Sequence, residues 1–268
     1  MHNILIKGAG EKASAVAHRL YECGLRKIVM TDLPVPLAER RGVSFCEAII
    51  DWRKEVCGII AQRADFSIEM IGRIWSEGKI PVLADPETRI LNILRPDTLI
   101  DAVMAKRNTG TRISDAPLVI ALGPGFEAGK DAHLVIETNP RSSNLGRVIS
   151  QGAGQEDTGI PASVGGLDVD RILISPTDGP LRSYKDIGDK VAKNEVIAYV
   201  NGYPLAAPVP GVIWGLVRNG IRVKKGQKIG DIDPRGEKRF CFEISVHARA
   251  IANGVLEAIF RYSTSCGM

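Results

Sequence analysis

The chain opens on an apolar run, "NILIK", that breaks into glycines, continues as a helical stretch and returns to a second run, "KIVMTD". That order predicts strand, turn, helix and strand, a βαβ unit whose parallel strands require such a crossover. Further along, "VCGIIAQ" reads as a strand, "SIEMIGRIWSEG" as a helix and "IPVLAD" as a short strand closed by Pro86. "RPDTLIDAVMAKRNTG" reads as a helix with Pro96 in its first turn and a basic end at Lys106 and Arg107, where cations suit the helix dipole. Trp52, Met70 and Trp75 fall where core packing is expected. A buried strand, "LVIAL", then runs into Gly123-Pro124-Gly125, and a polar loop leads to another strand, "AHLVIET".

The pattern changes in the second half. "SPTDGPLRSYKDIGDKVAKNEVIAYV" is followed 32 positions later by "APVPGVIWGLVRNGIRVKKGQKIGDI". Pro176, Gly179, Gly188, Val191, Lys193 and Ile197 match Pro208, Gly211, Gly220, Val223, Lys225 and Ile229, at turn and core positions. Units this short cannot bury an apolar face alone, so the two are expected to interlock about a pseudo-two-fold axis. The stretch from Arg239 to Tyr262 has a strand-like start and then a helix with Ala250, Ile251, Val255, Leu256 and Ile259 on one side, expected to pack on the α/β part. The fold class is therefore α/β: a doubly wound sheet plus a small all-β domain. The divisions are 1–110, a second glycine-loop segment and connector at 111–170, the β repeat at 171–235, and a terminal strand and helix at 236–268.

Candidate chemistry gathers at the glycines. Gly8, Gly10 and Ala13 fit G-x-G-x-x-G/A: the first permits a tight turn, the second removes a side chain that would block a pyrophosphate, and the third lets helix and strand approach. Asp32, 22 residues past Gly10, ends the second strand where such folds place a ribose-binding acid. This makes the first segment Rossmann-like, with the start of the first helix open to an anion. The plainer reading is that the glycines only pack a strand on a helix. Gly123 and Gly125 put bare backbone at a second sheet edge, and His133 and Glu137, four apart on a strand, are expected on one face with Arg141 and Arg147 close behind. Such a group could bind an anion or move a proton; the alternative is a histidine bonded to the backbone with surface arginines.

Composition narrows the classes. With 44% hydrophobic and 25% charged residues in 268, the balance is that of a globular protein of two domains. A net charge of +4 without an aromatic-laced basic patch argues against nucleic acid. No apolar run spans a bilayer and "MHNILIKGAG" is no signal segment, so a cytoplasmic protein is expected. Cys23, Cys46, Cys57, Cys241 and Cys266 form no C-x-x-C pair and read as reduced, mostly buried thiols; no metal site is expected.

Two resemblances add to this. Ala207, Pro208 and Gly211, with Gly220, Val223 and Gly226, resemble the barrel-sandwich hybrid of biotinyl and lipoyl carrier domains. In those families a lysine between the halves carries the prosthetic group. Here the hairpin is "YVNGYPLA", without lysine, so neither biotin nor lipoate is expected.

The whole chain resembles the YqeB family, accessory proteins of the selenium-dependent molybdenum hydroxylase system, through "GAGEKAS", "TDLPVPLAERRGVSFCEAI", "PVLADP", "LIDAVMAKRNTGT", "APLVIALGPGF", "DAHLVIET", "LGRVI", "APVPGV" and "ARAIANGVLEAI". It departs from that family at Arg141-Ser142-Ser143, where Arg-Gly-His is expected, and at Cys46, where a small apolar residue is. The resemblance implies a maturation factor whose partners are a molybdenum hydroxylase or its other maturation factors. The leading expectation is that a nucleotide or molybdopterin-type cofactor binds to Gly8, Gly10 and Asp32, with Lys106, Arg107, Arg141 and Arg147 supplying positive charge. An NAD(P)-dependent oxidoreductase with His133 as proton donor, and a docking scaffold without catalysis, stay open. So do a homo-oligomeric state and any direct handling of selenium.

Overall fold

The computed structural model describes residues 2–265 and divides into two compact units. The first takes in the chain up to Pro36, Ser44–Thr158 and the chain from Ile244; the second takes in Leu37–Val43 and Gly159–Glu243.

The first unit is built on strands β1 (Ile4–Lys7), β2 (Ile28–Asp32), β3 (Arg53–Val56), β4 (Ile59–Ala64), β5 (Ile80–Ala84), β6 (Thr98–Asp101), β7 (Leu118–Leu122), β8 (Glu127–Ala128), β9 (Leu134–Ile136), β10 (Val148–Ile149) and β11 (Gly152–Ala153). Its helices are α1 (Glu11–Glu22), the one-turn α2 (Ala48–Asp51) and α4 (Leu91–Leu94), α3 (Ile68–Ser76) and α5 (Val246–Ser265). Nine strands form one mixed sheet in the order β10-β9-β7-β6-β1-β2-β5-β4-β3, parallel except for β3 and β10 at the edges. β8 and β11 pair separately.

Central strands such as β1 and β6 are buried throughout because both faces are covered, which makes their sequences continuous apolar runs. On one face, α1 buries Ala13, Val16, Ala17 and Leu20, the helical i, i+3, i+4, i+7 stripe, and α5 buries Ile251, Val255 and Ile259. The small Gly254 of α5 lies against the carbonyl of Gly146. On the other face, Leu5 and Leu99 join Ile71 and Ile74 of α3 and Leu94 of α4 in one apolar cluster. Lys7 and Asp101, two residues further along the same strands, project to that second face.

Several expectations are corrected. Thr98–Asp101 is strand, not helix, and no helix follows up to Gly110. A short apolar run buried on both sides has no periodicity to tell the two apart, and the slot between β1 and β7 decides. "VCGIIAQ" is a hairpin, turned at Cys57 and Gly58, both at positive φ (48° and 86°). Trp52 is 61% exposed and closes the C-terminus of α2 at φ 64°, whereas Met70 and Trp75 do pack against the core. Cys46 and Cys241 are buried but Cys23 and Cys57 are exposed; Cys266 lies outside the described residues. The strand expected after Arg239 is a 3-10 turn, Lys238–Cys241.

The second unit holds β12 (Ile172–Ile174), β13 (Gly179–Ser183), β14 (Lys190–Val191), β15 (Val196–Val200), β16 (Tyr203–Ala206), β17 (Gly211–Leu216), β18 (Arg222–Val223) and β19 (Lys228–Asp233), in sheets β12-β19-β17-β14 and β16-β15-β13-β18. The repeats interlock. Gly179 pairs with Val223 and its counterpart Gly211 with Val191; Gly220 donates to the Leu181 carbonyl (2.8 Å) and Gly188 to that of Ile213 (2.9 Å). Every partner in this exchange is its equivalent shifted by 32. Leu181, Ile197, Ile213 and Ile229 meet in one core. Asn201 and Gly202, at φ 49° and 84°, turn the hairpin between β15 and β16.

Candidate functional site

In the first unit, β2 follows β1 on one side and β6 lies on the other, so the strand order changes direction between β1 and β6. In open α/β sheets, ligands gather outside the carboxyl ends of the strands at such a point. Gly8 sits there at φ +99°, and a Cβ on it would stand 2.8 Å from the Ala102 carbonyl oxygen. Glycine is required by that close approach. Gly10 is the N-cap of α1, with no side chain bonded across the helix start and nothing within 4 Å of where its Cβ would be. The first amides of α1, which carry the partial positive end of the helix dipole, therefore receive no side-chain cap from residue 10. Ala13 is fully buried, in keeping with its packing role.

Asp32 braces the turn. Its Oδ2 accepts the Ala9 N–H (2.7 Å) and its Oδ1 that of Leu33 (2.7 Å). Burial raises its pKa, opposed by those two bonds. Each oxygen keeps a second lone pair, so a ribose hydroxyl can still be accepted. Cys46 donates its N–H to the Ala9 carbonyl (2.9 Å), and the Ser14 hydroxyl donates to the same oxygen (3.0 Å) while accepting from the Phe45 N–H (2.8 Å). The Cys46 thiol is pushed well up, by burial first and then by the charges of Asp32 and Glu47.

The second glycine loop is more crowded. A Cβ at Gly123 would strike the Thr138 hydroxyl, and one at Gly125 the main chain of Arg107. Glu137, buried beneath, accepts from the N–H groups of Asn139 (2.7 Å) and Gln155 (2.8 Å), and Lys106 pairs with Asp157 (2.5 Å). Lys106, Arg107, Gly123, Gly125 and Glu137 thus come together; Arg141 and Arg147 are exposed residues on the following loop. His133 does not join them. It precedes β9, its Nδ1 accepts the Val119 N–H (3.0 Å) at the amino end of β7, and burial lowers its pKa. Glu137 lies past the other end of β9, so the two do not form a pair.

A cluster that the residue patterns did not single out lies on the α3 and α4 face. Lys7, the last residue of β1, is the register partner of Asp101 at the end of β6. Its ammonium donates to Thr109 Oγ1 and Thr111 Oγ1 (3.1 Å each) and stands 3.5 Å from Asp101 Oδ2, which also accepts from the Thr111 hydroxyl (2.5 Å). The Asn108 side chain holds this loop through Gly110 N–H, Thr111 N–H and the Thr111 carbonyl (2.8 Å each). Lys7, Thr109, Gly110 and Thr111, with Glu87, Thr88 and Asp115, line a cavity of about 410 Å³. Thr88 sits at φ 56°, which for a β-branched residue stores about 1–3 kcal/mol of strain. The one legible signal was a lysine closing a buried strand in "NILIK".

Among the described residues, no group of three or more His, Cys, Asp or Glu could hold a metal ion, and no helix is long and apolar enough to cross a membrane.

No family model matches the chain. Among solved structures it is 13% identical to an aspartoacylase family protein from Mesorhizobium loti and to the ectoine utilization protein EutE (DoeB) from Ruegeria pomeroyi with product bound. Each comparison covers 86% of this chain and 84% of the other at a TM-score of 0.28, too slight a likeness to specify a fold or a chemistry. The sequence comparison is far stronger: 256 residues, 96% of this chain, align at 44% identity with the uncharacterized protein YqeB of Escherichia coli strain K12. The chain spans 47% of that protein's length, about half, and is its homologue.

Proposed function

We propose that the first unit binds a phosphate-bearing ligand, a nucleotide or a molybdopterin-type cofactor, at the start of α1, and that the protein serves as an accessory factor in molybdenum hydroxylase maturation. One observation carries the binding reading: Gly10 opens the uncapped N-terminus of α1 beside the point where the strand order changes direction. Of the four glycines in the two turns, only Gly10 has free space at its Cβ position. The phosphate is placed at the amides that open α1, and the ribose at Asp32. This arrangement supports a Rossmann-like reading of the first unit. The mutual exchange of strands in the second supports the barrel-sandwich hybrid. The accessory role rests on the resemblance to the YqeB family.

A nicotinamide-dependent reaction finds no comparable support, because His133, its proton donor, is bonded to the backbone at the opposite end of the sheet. Titration calorimetry with adenine, guanine and cytosine nucleotides and with molybdopterin dinucleotide tests the proposal. Saturable heat is expected with one of these ligands, lost in Gly10→Val, which fills the open space. No heat with any of them sinks the reading.

A further inference from the structure

The outer face of the β16-β15-β13-β18 sheet carries residues that packing of the second unit does not explain. Leu181, Val200 and Leu205 turn into the core, so their neighbours along each strand turn outward. Arg182, Tyr199 and Pro204 are register partners and form one row across three strands. Arg182 and Pro204 are exposed, and Tyr199 is half-buried. Tyr184, two residues past Arg182, is 73% exposed, and its ring centre stands 5.8 Å from that of Tyr199, which puts both on this face. Two residues before Arg182, Pro180 pairs with the exposed Arg222.

The charges on this face do not balance. Among the described residues neither Arg182 nor Arg222 forms an ion pair, and both guanidinium groups are open to solvent. The carboxylates nearby are engaged: Glu195 with Lys185 (2.5 Å), Asp186 with Arg41, and Asp178 with the Lys225 N–H (2.6 Å). An exposed tyrosine pair flanked by unmatched arginines matches the anchors of protein interfaces, where Tyr and Arg are enriched.

We infer that this face docks an acidic segment of another protein. Tyr184 and Tyr199 provide the apolar contact, and Arg182 and Arg222 pair with its carboxylates. A second copy of this chain fits less well, because a two-fold contact sets the patch against itself and brings like charges together. Single-stranded nucleic acid fits less well too. The two rings stand edge to face, 83° apart, and do not offer parallel platforms to successive bases, while the row continues in the aliphatic Pro204. The surface does not depend on the ligand proposed at Gly10.

Fluorescence anisotropy of a labelled glutamate–tyrosine copolymer, titrated with the full chain, tests this. Saturable binding that weakens with added salt is expected. Arg182→Glu with Arg222→Glu, and separately Tyr199→Thr, should each weaken it about tenfold or more. The arginines are exposed and unpaired, so their replacement leaves the fold intact and a loss reports the face. Arg53→Glu with Arg73→Glu, exposed on the first unit, makes the same change in net charge and should leave binding unaltered. Equal losses from the two arginine pairs indicate diffuse attraction and overturn the inference, as does absence of saturable binding. Tighter binding of oligothymidylate, or a dimer in sedimentation that the Arg182 and Arg222 variant disperses, assigns the face to another occupant and overturns it as well.

Discussion

Lys7 and Asp101 end adjacent parallel strands in register, and their side chains form a buried pair 3.5 Å apart beneath two threonine hydroxyls. A pair of this kind contributes little net stability, since both charges lost their water, but breaking it leaves an uncompensated charge. Lys7→Met should therefore destabilise the first unit by about 3–5 kcal/mol, and Lys7→Met with Asp101→Leu should recover much of the loss. Urea unfolding of the single and double variants checks this.

The repeat makes its own control for glycine. Gly211 pairs with Val191 at φ +155°, and a Cβ there would run into the Asp233 carbonyl. Gly211→Ala should cost about 1–3 kcal/mol from backbone strain, with the collision in addition. Gly226, at φ +78° with open space, is the equivalent of Asn194, which already adopts φ 66°. Gly226→Asn should stay within about 1 kcal/mol of the parent in the same unfolding experiment, because asparagine tolerates the left-handed region.

Asp32 gives a pH dependence of definite sign. Its folded pKa is raised, so between the ordinary carboxylate value, about 3.9, and the folded value the native state holds a proton that the unfolded chain has released. That contribution favours the fold at low pH and is lost as pH rises through the window. The stability of the wild type relative to Asp32→Asn should accordingly fall from acid toward neutral pH. A difference that is flat, or that grows with pH, contradicts burial as the dominant cause.

The thiols should divide by exposure. Cys23 and Cys57 are open to a maleimide at neutral pH, whereas Cys46 and Cys241 are buried, with pKa values raised chiefly by burial. Peptide mapping after brief labelling should find the first two modified and the second two protected until denaturant is added. Cys46 also makes the protein less stable above the ordinary thiol pKa, about 8.5, where the unfolded chain loses a proton that the folded one keeps.

The β repeat and the glycine turn at α1 are legible in the amino-acid order, because each is a local demand. A turn at positive φ needs Gly or Asn, and a strand with one face in the core needs Val or Ile at the same spacing in both copies. β6 could not be read in this way: Thr98-Leu99-Ile100-Asp101 is equally good as one turn of helix, and only the gap between β1 and β7 makes it a strand. The pairing of His133 with Glu137 failed for a related reason. β9 is just Leu134–Ile136, so the two residues fall beyond opposite ends of it.

The amino-acid order by itself determined the alternating elements of the first unit, the two interlocking β copies, and the glycines that permit each sharp turn, since these depend on near neighbours along the chain. Only tertiary structure decided which strands lie side by side. That choice brought Lys7 to Asp101 across more than ninety residues and the loop after β5, with Thr88, to the same cavity. It also set Arg107 against Gly125 while leaving Gly10 open. Strand register is fixed by burial summed over the whole sheet, and no short stretch of sequence carries that sum.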